Sequence, residues 1–266
     1  MEELTQKLRE YIKSISKIYL IGEICDNVFE DFPTNLPESV NEKWRKKTKK
    51  IIFKDGKASL DFDDYGFLGI LLNVIPGKEE KSDFQQVILR QDLVNYLAYL
   101  EAVMQDLQRC IYKNNPTLLP EEKEIKLKDI VNKSTMDEML NYLIEKQLEK
   151  SGYDKITNQI ERLNNKPFLL KISIKKNEIN ELNTFIAIRN LILHNGSRIT
   201  NEYLELDKKS KYKIGDVICL ERKKINELFL YVEKVAVEIF ASICKEFYNI
   251  EKQNTYNEMS YTPRNL

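Results

Sequence analysis

The feature that most constrains the fold is an uninterrupted helical pattern in residues 82–113, where neither glycine nor proline occurs. Apolar residues recur there every three or four positions, which places them along one face of an α-helix. Ser82 or Asp83 is the predicted N-cap, and Pro116 ends the pattern. The sequence therefore predicts one unusually long helix. Its predicted buried residues are Val87, Leu93, Val94, Leu97, Leu100, Val103, Met104, Leu107 and Ile111.

The same helical period recurs in residues 2–29, 134–163, 178–194 and 222–248. Ser134 or Thr135 is positioned to cap the second of these helices, which Ser151 and Gly152 interrupt, and Asn177 is positioned to cap the third. Gly196 follows the third helix, as a glycine that ends a helix does. Long helices joined by short connections predict a mainly α fold, with an antiparallel four-helix bundle after residue 81.

Two regions have a β pattern instead. Apolar residues in the segments 51–53 and 58–62 flank Asp55 and Gly56. This order is typical of a β-hairpin and predicts a small mixed α/β N-terminal segment. A short two-stranded insert is predicted at residues 203–206 and 217–220. The predicted organisation is an N-terminal helical and hairpin segment at residues 1–81, a helical bundle at residues 82–250 and a polar C-terminal tail at residues 251–266.

Charge and cysteine content exclude several classes of protein. The 42 Lys and Arg residues balance 42 Asp and Glu residues, so only a local basic patch would attract a polyanion. A single histidine and four dispersed cysteines lack the spacing of a zinc site, and no phosphate-loop or dinucleotide motif occurs, so we expect neither a metal nor a cofactor. The most apolar stretch, residues 67–75, is far shorter than the roughly 20 residues that cross a bilayer. With no signal-peptide pattern either, a cytoplasmic protein without a membrane partner is expected.

The candidate catalytic residues lie at the end of the predicted helix 178–194. His194 is the only histidine in the chain, and imidazole is the natural proton carrier near neutral pH. Arg189 and His194 stand about 140° apart around a helix, with Asn190 between them at about 40° from His194. A guanidinium and an imidazole suit a phosphate under in-line attack by a 2′-hydroxyl. The imidazole moves the proton, and the guanidinium stabilises the pentacoordinate anion.

The same residues also have a structural interpretation. In it, His194 donates a hydrogen bond to a carbonyl group at the helix end, and Arg189 pairs with a carboxylate. The Lys-rich residues 208–213 would likewise be a solvated face, which is the usual role of a charged run. The spacing of these residues alone leaves both interpretations open.

Residues that follow this pair in the chain extend the pattern. The extended pattern consists of Arg189, Asn190, His194, Gly196, Tyr203, Leu204, Gly215 and Asp216. In this order they resemble HEPN-domain proteins, whose R-x4–6-H motif lies on the penultimate helix of a helical bundle, often with a polar residue directly after the arginine. The resemblance covers about residues 82–250.

The resemblance implies a metal-independent endoribonuclease that acts as a homodimer, with the motifs of two protomers facing each other in one composite cleft. Arg189, His194 and Asn190 would be catalytic, and RNA cleavage would leave a 2′,3′-cyclic phosphate and a 5′-hydroxyl. Such proteins often are toxins or effectors of antiphage abortive infection, so an antitoxin or regulatory partner is expected. The alternative is a catalytically inactive helical module that dimerises and binds RNA or a protein. The candidate RNA-binding cations are Lys208, Lys209, Lys211, Lys213 and Arg198.

Overall fold

The computed structural model describes residues 1–31, 51–54, 57–60, 78–120, 131, 133, 135–152, 155–208 and 210–258. Eight α-helices lie in these ranges, which confirms the mainly α class. They are α1 (Glu2–Asp31), α2 (Lys78–Asn114), α3 (Met136–Gly152), α4 (Ile156–Asn164), α5 (Lys176–His194), α6 (Asn201–Leu206), α7 (Arg222–Tyr248) and α8 (Lys252–Glu258). None of the helices in these ranges combines the length and the hydrophobicity that crossing a membrane requires.

The chain divides into two compact units, one of Met1–Tyr19 with Asp92–Leu266 and one of Leu20–Gln91. The smaller unit contains the strands β1 (Ile51–Lys54) and β2 (Lys57–Leu60), which pair antiparallel. The predicted turn residues 55 and 56 and the hairpin residues 61 and 62 lie outside the described residues.

Helix α2 is the central helix of the larger unit. Its buried stripe agrees with the predicted one, except that Val94 is half-buried and that Val87, which lies in the smaller unit, is exposed. The helix begins at Lys78 rather than after Ser82 or Asp83, because the charged residues 78–81 are good helix formers. The apolar residues that α2 buries in the larger unit are Leu93, Tyr96, Leu97, Leu100, Val103, Met104, Leu107, Cys110, Ile111 and Tyr112.

Ion pairs fix the neighbouring helices against α2 in a helical bundle. Arg222, at the start of α7, donates to the carboxylate of Asp92 at 2.7 Å. Arg109 binds Glu145 of α3 with two hydrogen bonds of 2.6 and 3.0 Å. Burial of apolar side chains supplies most of the stabilisation, at roughly 1.5–3 kcal/mol for each large residue. The residues that α1 and α7 add to this core include Leu4, Leu8, Tyr11, Ile15, Ile225, Leu228, Val232, Val235, Ile239, Phe240 and Ile243.

The start of α5 is fixed by Glu178. One carboxylate oxygen accepts the N–H of Lys175 at 3.0 Å, and the other lies 2.5 Å from the ammonium of Lys234 on α7. Asn177 is therefore not the N-cap. The N-cap is Lys175, whose backbone N–H Glu178 accepts, and Asn177 already lies inside the helix. Burial raises the pKa of Glu178, but the ammonium of Lys234 and the N–H of Lys175 lower it by more, so the pKa lies below its usual value.

The predicted two-stranded insert is wrong. Residues 203–206 belong to α6, which Thr200 caps by accepting the N–H of Tyr203 at 3.4 Å. Residues 217–220 contain only an isolated bridge, between Val217 and Arg198. A helix of one or two turns is too short for its apolar period to be distinguished from the alternation of a strand.

The remaining helix ends agree with the sequence more closely. Thr135 caps α3 by accepting the N–H of Glu138 at 3.2 Å. The interruption near Ser151 and Gly152 is confirmed, since α3 ends at Gly152 and α4 begins at Ile156. Helix α7 has the predicted bounds. The segment predicted as a polar tail contains α8, whose Tyr256 hydroxyl donates to Glu238 of α7 at 2.6 Å.

We expect Glu178→Gln to lower the free energy of unfolding by about 2 kcal/mol at pH 7, because the half-buried Lys234 loses its counter-charge. The pKa of Glu178 is depressed in the folded chain, so its contribution is complete above the unfolded pKa of about 4.3 and is lost as pH falls through the folded value. Urea unfolding at pH 7 and at pH 3 measures the difference. The exposed Glu246→Gln is the control and should change stability by less than about 0.5 kcal/mol. An equal loss for both variants would contradict the prediction.

Candidate functional site

The candidate site lies at the C-terminal end of α5, which is anchored by its buried face. The N–H groups of Asn195 and Ser197 both donate to the carbonyl of Leu191, at 3.0 and 2.9 Å. Gly196 follows the helix with φ +55°, so the predicted glycine end is confirmed. The buried residues that hold α5 in the bundle are Leu182, Phe185, Ile186, Ile188 and Leu191.

Arg189 is half-buried and paired with a carboxylate. Its Nη1 donates to Oε1 of Glu101 on α2 at 2.5 Å, and the two side chains are 20% and 32% exposed. Its Nε is sealed from solvent and has no hydrogen-bond partner among the described residues. The carboxylate therefore fixes the direction of the guanidinium and uses one of its two terminal nitrogens. Nothing in the sequence pointed to Glu101, because it is 88 residues from Arg189.

His194 and Asn190 are both exposed. Within the described ranges, the imidazole of His194 makes no intramolecular hydrogen bond. The structural interpretation therefore agrees with the structure for Arg189, which pairs with a carboxylate. It does not agree for His194, which has no carbonyl acceptor in these ranges. The imidazole is accessible to a ligand from solvent.

Asn190 also lines a groove of about 590 Å³ between α4, α5 and α6. The floor of the groove includes Ile186, Leu191 and Tyr203. Neither Arg189 nor His194 is among its lining residues, so the structure brings only one of the three predicted catalytic residues into it. The polar residues that line the groove are Lys155, Thr157, Asn158, Glu161, Asn183, Asn190, Asn195, Thr200 and Glu202.

The predicted RNA-binding cations follow α5 in the chain. Lys208, Lys211 and Lys213 are exposed, and Lys209 lies outside the described residues. Arg198 is exposed as well, and its Nη1 donates to the carbonyl of Gly215 at 3.0 Å.

The segment that carries Lys213 is tied to the end of α5. The carboxylate of Asp216 accepts the N–H of Lys213 at 2.7 Å and closes a turn through Gly215, whose φ is +88°. The N–H of Ile218 donates to the carbonyl of Ser197 at 2.9 Å. Gly215 and Asp216 thus shape a turn beside the candidate site, and neither provides a side chain to it.

No protein-family model, curated protein or solved structure matches the chain. In the part of the chain that the structure describes, no three His, Cys, Asp or Glu side chains are grouped so that they could hold a metal ion. The likeness to HEPN-domain proteins therefore rests on the residues of α5 and the segment that follows it.

We expect the Arg189–Glu101 pair to be coupled by about 1–2 kcal/mol in a double-mutant cycle of Arg189→Met and Glu101→Gln, because both side chains are partly removed from solvent. Urea unfolding of the four proteins measures the coupling. The pair of Lys245 and Glu251 is the control. It has a 3.0 Å contact but side chains 51% and 69% exposed, and should be coupled by less than about 0.5 kcal/mol. Equal coupling in the two cycles would contradict the expected role of burial.

Proposed function

We propose that the chain is a metal-independent endoribonuclease that cleaves RNA through attack of a 2′-hydroxyl on the adjacent phosphate. The bond from the 2′ oxygen to phosphorus forms, and the bond from phosphorus to the 5′ oxygen breaks. The products are a 2′,3′-cyclic phosphate and a 5′-hydroxyl. A toxin or an effector of antiphage abortive infection is the biological role that the sequence resemblance favours, with an antitoxin or regulatory protein as a partner.

The observation that carries this proposal is the contrast between Arg189 and His194 on one helix. The imidazole of His194 is exposed, so it can accept the proton of the 2′-hydroxyl or donate one to the leaving 5′ oxygen. The guanidinium of Arg189 is held by Glu101, and a charge held in position stabilises a pentacoordinate phosphate without reorganising during the reaction. Asn190 orients the phosphate or the imidazole.

A homodimer is part of the proposal. About 140° separates Arg189 from His194 around α5, so a composite cleft formed by two chains suits them better than a site within one chain. Exposed apolar side chains near the end of α5 support such an interface. Leu193 is 54% exposed, and Ile214 and Val217, in the segment tied to that end, are 62% and 42% exposed. In the proposed dimer the partner covers these side chains, and burial of apolar surface favours association.

The ion pair between Arg189 and Glu101 also favours a second candidate, a catalytically inactive module that binds RNA or a protein. In this candidate Arg189 has only a structural role, which is to hold α5 against α2, and Glu101 is its counter-charge. This candidate predicts RNA retention in a gel-shift assay without cleavage, and retention that weakens with salt as the Lys-rich residues 208–213 are screened.

We expect Arg189→Ala and His194→Ala each to lower RNA cleavage in EDTA by at least about 100-fold, because one removes the charge that stabilises the transition state and the other removes the proton carrier. Cleavage of a labelled single-stranded RNA, with identification of the terminal phosphate, measures the effect. Lys245→Ala, which removes an exposed cation on α7, is the control. Full activity in either site variant, at unchanged thermal stability, would reject the assignment.

Mixing the two inactive variants tests the composite cleft. If Arg189 of one chain acts with the partner's His194, a mixed dimer of Arg189→Ala and His194→Ala has one site with both residues and one site that lacks both. Random exchange should then restore about a quarter of the wild-type cleavage rate. The rate is measured after the mixed chains have re-equilibrated, with each variant alone as the control. No recovery in a mixture that forms mixed dimers would place both residues of a site on the same chain.

A further inference from the structure

The groove beside Asn190 is lined by an unusual number of side-chain amides. Asn183 and Asn190 come from α5, Asn158 comes from α4, and Asn195 follows α5 directly. None of these four amides has a hydrogen-bond partner within the described part of the chain. Each amide therefore presents one acceptor and two donor hydrogens to a ligand in the groove.

The charged residues of the groove make it a poor site for phosphate. Among the described residues, two carboxylates, Glu161 and Glu202, line it together with one cation, Lys155. A phosphate would be repelled by the carboxylates, whereas an amino group would be attracted to them. The volume of about 590 Å³ lies within the roughly 300–1,000 Å³ of small-ligand sites, and the apolar floor can contact the face of a flat ring.

We propose that this groove binds an unpaired nucleobase with an exocyclic amino group, which adenine, cytosine and guanine carry, next to the phosphate that is cleaved. Asparagine pairs in a bidentate manner with adenine, and a carboxylate accepts from the amino group of cytosine. Uracil has no exocyclic amino group, so the carboxylates would face its carbonyl oxygens. The groove therefore determines which base lies at the cleavage site. This inference rests on the proposed function, because it takes RNA as the ligand.

The placement of the amides on α5 supports the link to the cleavage site. Asn183, Asn190 and Ala187 between them all line the groove, so one face of α5 forms a wall that ends beside His194. Sequence-specific recognition of RNA depends on unstacked bases of single strands, which offer their edges to side chains. A base bound along this wall would hold its phosphate near the end of the helix.

The test is binding of oligo(A), oligo(C) and oligo(U) of equal length to the full chain with His194→Ala, measured by fluorescence anisotropy. We expect at least about tenfold weaker binding of oligo(U) than of oligo(A) and oligo(C). Adding both Glu161→Gln and Glu202→Gln should remove this difference, because no carboxylate then faces the carbonyl oxygens of uracil, and adding Asn183→Ala should weaken the binding of oligo(A). Asn180→Ala is the matched control, since Asn180 is an exposed asparagine of α5 outside the groove. Thermal unfolding of each variant establishes that it is folded.

Equal binding of the three oligonucleotides, or a preference that survives the loss of both carboxylates, would overturn the assignment of the groove. Absence of RNA binding would overturn it as well. Cleavage by the wild-type chain, measured on the same oligonucleotides, separates this inference from the proposed function. Cleavage without base preference would reject the groove and leave the nuclease intact. A preference in binding that the loss of both carboxylates removes, without any cleavage, would support the groove and reject the nuclease.

Discussion

The larger unit depends on the burial of α2, because a helix with a continuous apolar stripe is stable in water only where other helices cover that stripe. The cover is not merely apolar. Two carboxylates on α2, Asp92 and Glu101, each bind an arginine from another helix, Arg222 of α7 and Arg189 of α5. These pairs fix how α5 and α7 lie along α2, since a shift of either helix would leave partly buried charges without partners.

The position of the candidate site follows from this packing. The end of α5 is set by the buried face of the helix, by the pair of Arg189 with Glu101, and by the cap that Gly196 closes. His194 is the last residue of the helix and is exposed. One helix thus carries a guanidinium held by the fold and an imidazole open to solvent, which is the division of roles that charge stabilisation and proton transfer require.

The features that depend on interactions between neighbouring residues were predicted from local patterns in the sequence. The period of α2 and α7, the cap at Thr135 and the glycine end of α5 depend on residues within a few positions of each other, and all were predictable. The N-terminus of α5 was not predicted, because it depends on the ion pair between Glu178 and Lys234, which are 56 residues apart. Helix α6 was missed because six residues are too few to define a period. The carboxylate that binds Arg189 and the groove between three helices arise only when distant segments pack together.

RNA recognition needs both electrostatic attraction and discrimination among bases, and the proposed enzyme assigns these two tasks to different parts of its surface. Electrostatic attraction needs cations, and with 42 basic and 42 acidic residues in the chain it must come from a local source, such as the exposed Lys208, Lys211 and Lys213. Discrimination among bases needs donors and acceptors that phosphates do not occupy. The groove meets this second need because the described residues that line it include four amides and two carboxylates but one cation, Lys155. Phosphates would therefore bind outside the groove, and the groove itself would remain open to a base.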